Sequence, residues 1–231
     1  MNGTAFFNAS DDTHGYELWK SDGTEGGTVL VKDINPGPDS SYPERLINMN
    51  GTLFFMAHDE SHGCELWKSD GTEAGTVLVK DINPGANWSG PANMTIVNGT
   101  LFFTADDGAH LTELWKSDGT EEGTVMVKDI YPGALNANPC WLTNANGTLF
   151  FQATDGTLGA ELWKSDGTEE GTVMVKDIWP GEYYSNPSYL RVFHGTLYFA
   201  ADDGIDGNEL WTTDGTEAGT VMVQDINPGD Y

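Results

Sequence analysis

Apolar residues fall in short runs separated by polar, glycine-rich stretches, and no window of 11 residues carries the period of an amphipathic helix. In one representative stretch the runs are Arg45–Met49, Thr52–Ala57, Glu65–Ser69 and Thr76–Ile82. They are rich in β-branched and aromatic residues and bounded by Gly, Asp, Asn and Pro, which predicts four strands. Asn50-Gly51 between the first two predicts a tight type I′ hairpin. Ser69 to Thr76 reads as a longer hairpin loop, in which Asp70 accepts backbone bonds and glycine supplies positive φ. Asn83-Pro84-Gly85 ends the fourth run.

The pattern repeats. Trp19, Trp67, Trp115, Trp163 and Trp211 each follow the last by 48 residues. Units 1–48, 49–96, 97–144, 145–192 and 193–231 form one unbroken series, read as a single domain over 1–231. Four antiparallel strands in about 40–50 residues are the signature of a propeller blade. One such sheet cannot bury both its faces, so neighbours must. The expected architecture is all-β, a five-bladed β-propeller of four-stranded repeats. Trp67, Trp115 and Trp163 are expected between blades. Five full units would need 240 residues, nine more than the 231 present. The shortfall is one first strand, so one blade is expected to lack its inner strand. That leaves an edge on Thr4 to Ala9 open to another chain, with the tail Asn227 to Tyr231 as the nearest segment to fill it. Ala5 stands where Leu53, Leu101, Leu149 and Leu197 stand.

The run Glu-Leu-Trp-Lys-Ser-Asp-Gly-Thr at 17–24, 65–72, 113–120 and 161–168, kept as Glu-Leu-Trp-Thr-Thr-Asp-Gly-Thr at 209–216, resembles the bacterial ELWxxDGT-repeat proteins. The resemblance covers essentially the whole chain. It implies propeller-like blades from large secreted or surface proteins and implies no catalytic role. Blade count and length are also similar to the five-bladed tachylectin-type lectins, an architectural likeness only.

Charge narrows the partners. Ten Lys and Arg face 36 Asp and Glu, a net charge of −26. Such a surface repels phosphate backbones, which excludes nucleic acid. It suits either solubility or a calcium-rich or salty extracellular setting. No apolar run approaches the length of a membrane span, so no membrane insertion is expected. No signal peptide is visible in this chain. Cys64 and Cys140 occupy different repeat positions and predict no disulfide. Asn2, Asn8, Asn50, Asn87, Asn93, Asn98 and Asn146 open Asn-x-Ser/Thr triplets. Where that triplet is Asn-Gly-Thr, hairpin geometry explains it without glycans.

Strand order fixes two faces. The Asn-Gly turns and Asp-Gly-Thr loops share one, nearly identical in every unit, with Asp22, Asp70, Asp118, Asp166 and Asp214 as turn-formers. The loops joining second to third strands and each unit to the next share the other, and these vary, as binding loops on a rigid scaffold do. Tyr42, Trp88, Asn136, Tyr183 and Tyr184 in the connecting loops are the candidate ligand-binding residues, suited to sugar rings or to a protein partner.

The loops between second and third strands pair Asp11 with Glu17, Asp59 with Glu65, Asp107 with Glu113, Asp155 with Glu161 and Asp203 with Glu209. Two hard oxygen ligands at that spacing can begin a calcium site. Calcium is the one cofactor the pattern admits. The competing structural reading has the Asp capping its own turn and the Glu bonding loop amides. His14, His62 and His110 share one position, but Leu158 and Asp206 follow in the series, which argues against zinc. Near-identical copies do not supply the unlike groups that catalysis needs, and no Ser–His–Asp spacing is visible. The expected function is a non-enzymatic extracellular or cell-surface binding or scaffold module, self-associating through its incomplete blade by edge pairing. The alternatives are a carbohydrate-binding lectin using the aromatic loops and, further off, a sialidase-like glycosidase.

Overall fold

A computed structural model describes residues 1, 3–133, 136–226 and 228. Asn2, positions 134 and 135 of one connecting loop, and most of the tail assigned to the open edge lie outside the described residues. The described chain is all-β, in five antiparallel sheets met in sequence order. The first has three strands, β1 (Ala5–Asp11), β2 (Gly15–Ser21) and β3 (Val29–Lys32). The second is β4 (Glu44–Met49), β5 (Thr52–Asp59), β6 (Gly63–Ser69) and β7 (Val77–Lys80). The third runs β8 (Ala92–Val97), β9 (Thr100–Asp106), β10 (Thr112–Ser117) and β11 (Val125–Lys128). The fourth is β12 (Cys140–Ala145), β13 (Thr148–Thr154), β14 (Ala160–Ser165) and β15 (Val173–Lys176). The fifth is β16 (Ser188–Phe193), β17 (Thr196–Asp202), β18 (Asn208–Thr213) and β19 (Val221–Gln224).

The turns follow their residues. Asn50 and Gly51 both take positive φ, 53° and 88°, as a type I′ turn requires. In the longer loop the Asp70 carboxylate accepts the Thr72 amide at 2.8 Å and its hydroxyl at 2.7 Å. The same pair of bonds recurs at Asp22, Asp118, Asp166 and Asp214.

Two regular departures are not visible in the residues. Leu66 pairs with Lys80 but Trp67 with Leu78, so Val79 sits on a β-bulge. A second register shift bends each first strand, at Arg45, Asn93, Trp141 and Tyr189, all with positive φ between 52° and 59°. The fourth strand also ends earlier than expected, at Lys80, because the Ile82 amide turns away to the Glu65 carboxylate.

The core lies between sheets. Leu66, Val79, Ile82 and Phe54 of the second sheet meet Leu101, Phe103, Ala105 and Trp115 of the third, and equivalent residues fill the other three joints. Lysines lock the same joints. Lys20, Lys68, Lys116 and Lys164 each donate to a glycine carbonyl of the next unit at 2.7–2.8 Å. Lys32, Lys80, Lys128 and Lys176 donate to a threonine carbonyl of the next unit at 2.8–2.9 Å. These eight are all the lysines in the chain. The first strands lie side by side where the sheets converge, β4 against β8, β8 against β12 and β12 against β16. That puts them on the inside, where the missing one was placed. The first sheet has none, and β1 pairs with β2 alone.

A closed ring of five would also pack the fifth sheet on the first. Among the described residues no hydrogen bond and no buried apolar cluster joins them. Leu210, Val223 and Ile226 are 38%, 49% and 68% exposed, where Leu66, Val79 and Ile82 are at 6% or below. Among the described residues, then, closure of the five sheets into a ring is not seen.

Trp67, Trp115 and Trp163 are each 6% exposed within these joints. Replacing one by Ala is expected to cost about 3–5 kcal/mol, read as a lower denaturant midpoint with an unchanged slope.

Candidate functional site

Connecting loops are held by the glutamate of the Glu-Leu-Trp run. Glu65 is fully buried on β6. Its carboxylate accepts the Ile82 amide at 3.1 Å, the Asn83 amide at 3.3 Å, the Ser89 amide at 3.2 Å and the Ser89 hydroxyl at 2.6 Å. Glu17 and Glu161 hold Ser41 and Ser185 in the same way. Glu113 has Ala137 in place of the serine and bonds Ile130 and Tyr131. Glu209 keeps only the Ile226 bond among the described residues. The loop also lies against Gly63, where a Cβ would stand 2.0 Å from the Asn87 carbonyl oxygen, so this approach requires glycine.

Clamped in this way, the first two loops wall a cleft of about 620 Å³ between the first and second units. Tyr42 and Trp88 form its aromatic sides, 54% and 65% exposed. His58 meets the Trp88 ring at 5.8 Å and Tyr16 stacks on Tyr42 at 5.7 Å, so both rings are braced in place. Asp39, Glu44 and Glu60 line the cleft, and neither Lys nor Arg does. Cys64 also lines it, but burial pushes its thiol up to about 11. That leaves it protonated at neutral pH and a poor nucleophile.

No family model matches the chain, and no curated protein matches it. Solved structures do. One is a puromycin hydrolase S511A mutant complexed with PGG, at 16% identity and TM-score 0.58, matched over 93% of this chain and 34% of that one. Another is prolyl oligopeptidase B from Galerina marginata, at 11% identity and TM-score 0.60, over 99% and 36%. Oligopeptidase B from Leishmania major matches at 12% identity and TM-score 0.53, over 95% and 31%. The fold is β-propeller-like. This chain spans about a third of the length of each of these enzymes, and at such identity the likeness is one of fold alone.

On this propeller-like frame the candidate residues separate. Tyr42 and Trp88 share the cleft. Asn136 is exposed on the third connecting loop, away from the cleft, and its side-chain oxygen accepts the Thr112 amide at 2.9 Å, the bond Ser40 makes to Tyr16 in the first unit. Tyr183 stacks on Trp179 at 5.1 Å, and Tyr184 is exposed beside it, two units away from the cleft. His58 and Glu44 were not singled out from the sequence. His58 stands where Ser10, Asp106, Thr154 and Asp202 stand, a departure within the series that marks this junction.

The paired carboxylates do different jobs. Asp59 accepts the Ser61 and His62 amides at 2.7 Å and the His62 ring, and that hydrogen bond raises the His62 pKa. Asp11 and Asp107 hold His14 and His110 likewise. Asp155 and Asp203 cap their own turns through backbone amides. The glutamates are committed to the connecting loops. Among the described residues no three His, Cys, Asp or Glu side chains group as metal ligands. One carboxylate the sequence reading passed over is half placed. Oδ1 of Asp33, Asp81, Asp129, Asp177 and Asp225 is buried without a hydrogen-bond partner. If calcium does bind any of these loops, chelation will lower the melting temperature, with a shift that follows the logarithm of free calcium above its dissociation constant; matching melts with chelator and with millimolar calcium count against it.

Burial raises Glu17 and pushes Glu65, Glu113 and Glu161 up to about 7, against their donors. A carboxyl raised by folding contributes fully below its unfolded value near 4.5 and loses that contribution as pH rises through about 7. Unfolding free energy is therefore expected to fall between about pH 5 and pH 8, by up to about 3 kcal/mol per carboxylate, read as a lower melting temperature. Thermal melts of Glu65→Gln across that window will show a shallower fall than the parent.

Proposed function

We propose that this chain is a non-enzymatic, extracellular binding or scaffold module of the propeller type, five blades in series, with the Tyr42–Trp88 cleft as its contact point. The cleft itself carries the reading: two braced, exposed aromatic rings line it together with the carboxylates of Asp39, Glu44 and Glu60. Aromatic faces with adjacent carboxylates attract cations, and a net charge of −26 draws them in from a distance. The preferred partner is accordingly a protein segment bearing exposed Lys or Arg. The non-enzymatic reading is supported by the polar groups near the cleft. Glu17 and Glu65 are committed to loop hydrogen bonds, and Cys64 is held protonated.

A lectin is the second reading, favoured by the same rings, since exposed Tyr and Trp stack on sugars and the carboxylates accept from hydroxyls. Binding to a cationic peptide library and to a glycan array separates the two. Trp88→Ala and Tyr42→Ala are expected to weaken binding at least tenfold with melting temperature unchanged, because both rings are more than half exposed. Peptide binding that weakens with salt supports the first reading. Glycan hits lost on the same substitutions and indifferent to salt support the second, and binding untouched by either substitution removes the cleft from both.

A further inference from the structure

One joint is built four times within the chain, and both of its halves are left open at the ends. The forward half in the second sheet is Met49, Leu66, Val79 and Ile82, at 6% exposure or less. The same positions in the fifth sheet are Phe193 at 65%, Leu210 at 38%, Val223 at 49% and Ile226 at 68%. The rear half in the second sheet is Leu53, Phe55 and Trp67, buried to 6% or less. Its counterparts in the first sheet are Ala5, exposed, and Phe7 and Trp19, less deeply buried than Phe55 and Trp67. The two open faces are thus complementary by construction, since each has the pattern that packs against the other at every internal joint.

We propose that the occupant of each is a second copy of this chain, with the fifth sheet of one molecule packed on the first sheet of the next. Such a head-to-tail contact joins unlike surfaces, so it builds rings or open chains rather than a two-fold dimer. It is a weakened copy of the internal joint. The two lysines that bond forward from the other four units are replaced by Thr212 and Gln224 in the fifth. Ala5 also gives less bulk than the leucine elsewhere. The association is therefore reversible, and net charge opposes it at low ionic strength. It differs from strand pairing along the open edge of β1, which uses backbone groups and leaves these side-chain faces bare.

Light scattering and sedimentation of the whole chain, from micromolar to near-millimolar concentration at low and high salt, give the first readout. Mass is expected to grow with concentration, more strongly at high salt. Val223→Arg blocks the forward face and Ala5→Arg the rear; both positions are exposed, and both changes lower the net charge, so neither adds repulsion. Each variant alone should be monomeric with an unchanged melt, while an equimolar mixture should form dimers and stop there. The triple variant Ala5→Leu, Thr212→Lys and Gln224→Lys should associate at least tenfold more tightly than the parent. A control with the same charge change, Glu169→Gln with Glu170→Gln, should not. A parent that stays monomeric throughout overturns the proposal and leaves the faces to another partner. Association that survives both arginine variants, or a mixture no different from its components, overturns it in favour of the β1 edge.

Discussion

Each sheet in this protein is apolar on both faces, and that constraint governs the rest. A sheet wet on one side would alternate apolar and polar residues; here Phe54 and Phe55 are adjacent, point to opposite sides, and are both buried. No unit can stand alone. Burial of a fully enclosed Phe or Leu is worth about 1.5–3 kcal/mol, and nearly all of it accrues at joints between units. The eight lysine bonds add direction, because each runs from one unit to the next and never back. Stability is then a property of neighbours, as in other arrays where each repeat touches only the ones beside it.

Within that frame the buried glutamate sets where the variable loops lie. It reaches a serine 24 residues along the chain, tying the start of a third strand to the approach of the next unit. A carboxylate placed so deep costs free energy, and its raised pKa measures that cost. The return is a loop whose ends are fixed while its tip is free to vary. Where the tips carry Tyr42 and Trp88 the result is a cleft; where they carry Asn136 the side chain accepts the Thr112 amide instead.

Much of this was legible in the residues. The interval between tryptophans, the Asn-Gly turns and the Asp-Gly-Thr loops each have a local cause, so strands β4 to β7 and their copies fall close to where the pattern puts them. Ile82 was read as strand because it is β-branched and follows Val79 and Lys80; its amide in fact serves a carboxylate 17 positions back, which no local rule reveals. Positive φ at Trp141 and Tyr189 was invisible for the same reason, since neither residue favours that conformation and only the register of the paired strand imposes it. The cleft was half legible. Exposed aromatics could be named from the loops, but which of them share a cleft depends on packing between units, and His58 and Glu44 enter only through that packing.

The charge distribution has the same origin. Ten basic residues offset only part of 36 acidic ones, and the eight lysines among them are bound to carbonyls at the joints. Arg45 and Arg191 are the remaining cations among the side chains. The lysines remain partly exposed at the joints, so the surface keeps the strongly acidic balance of the composition. A surface of that kind discriminates partners before any pocket is reached. A net charge of −26 slows the approach of anions and of like-charged copies and favours cations at long range. The placement of the lysines is thus set by the joints between sheets, not by any need to balance the acidic surface.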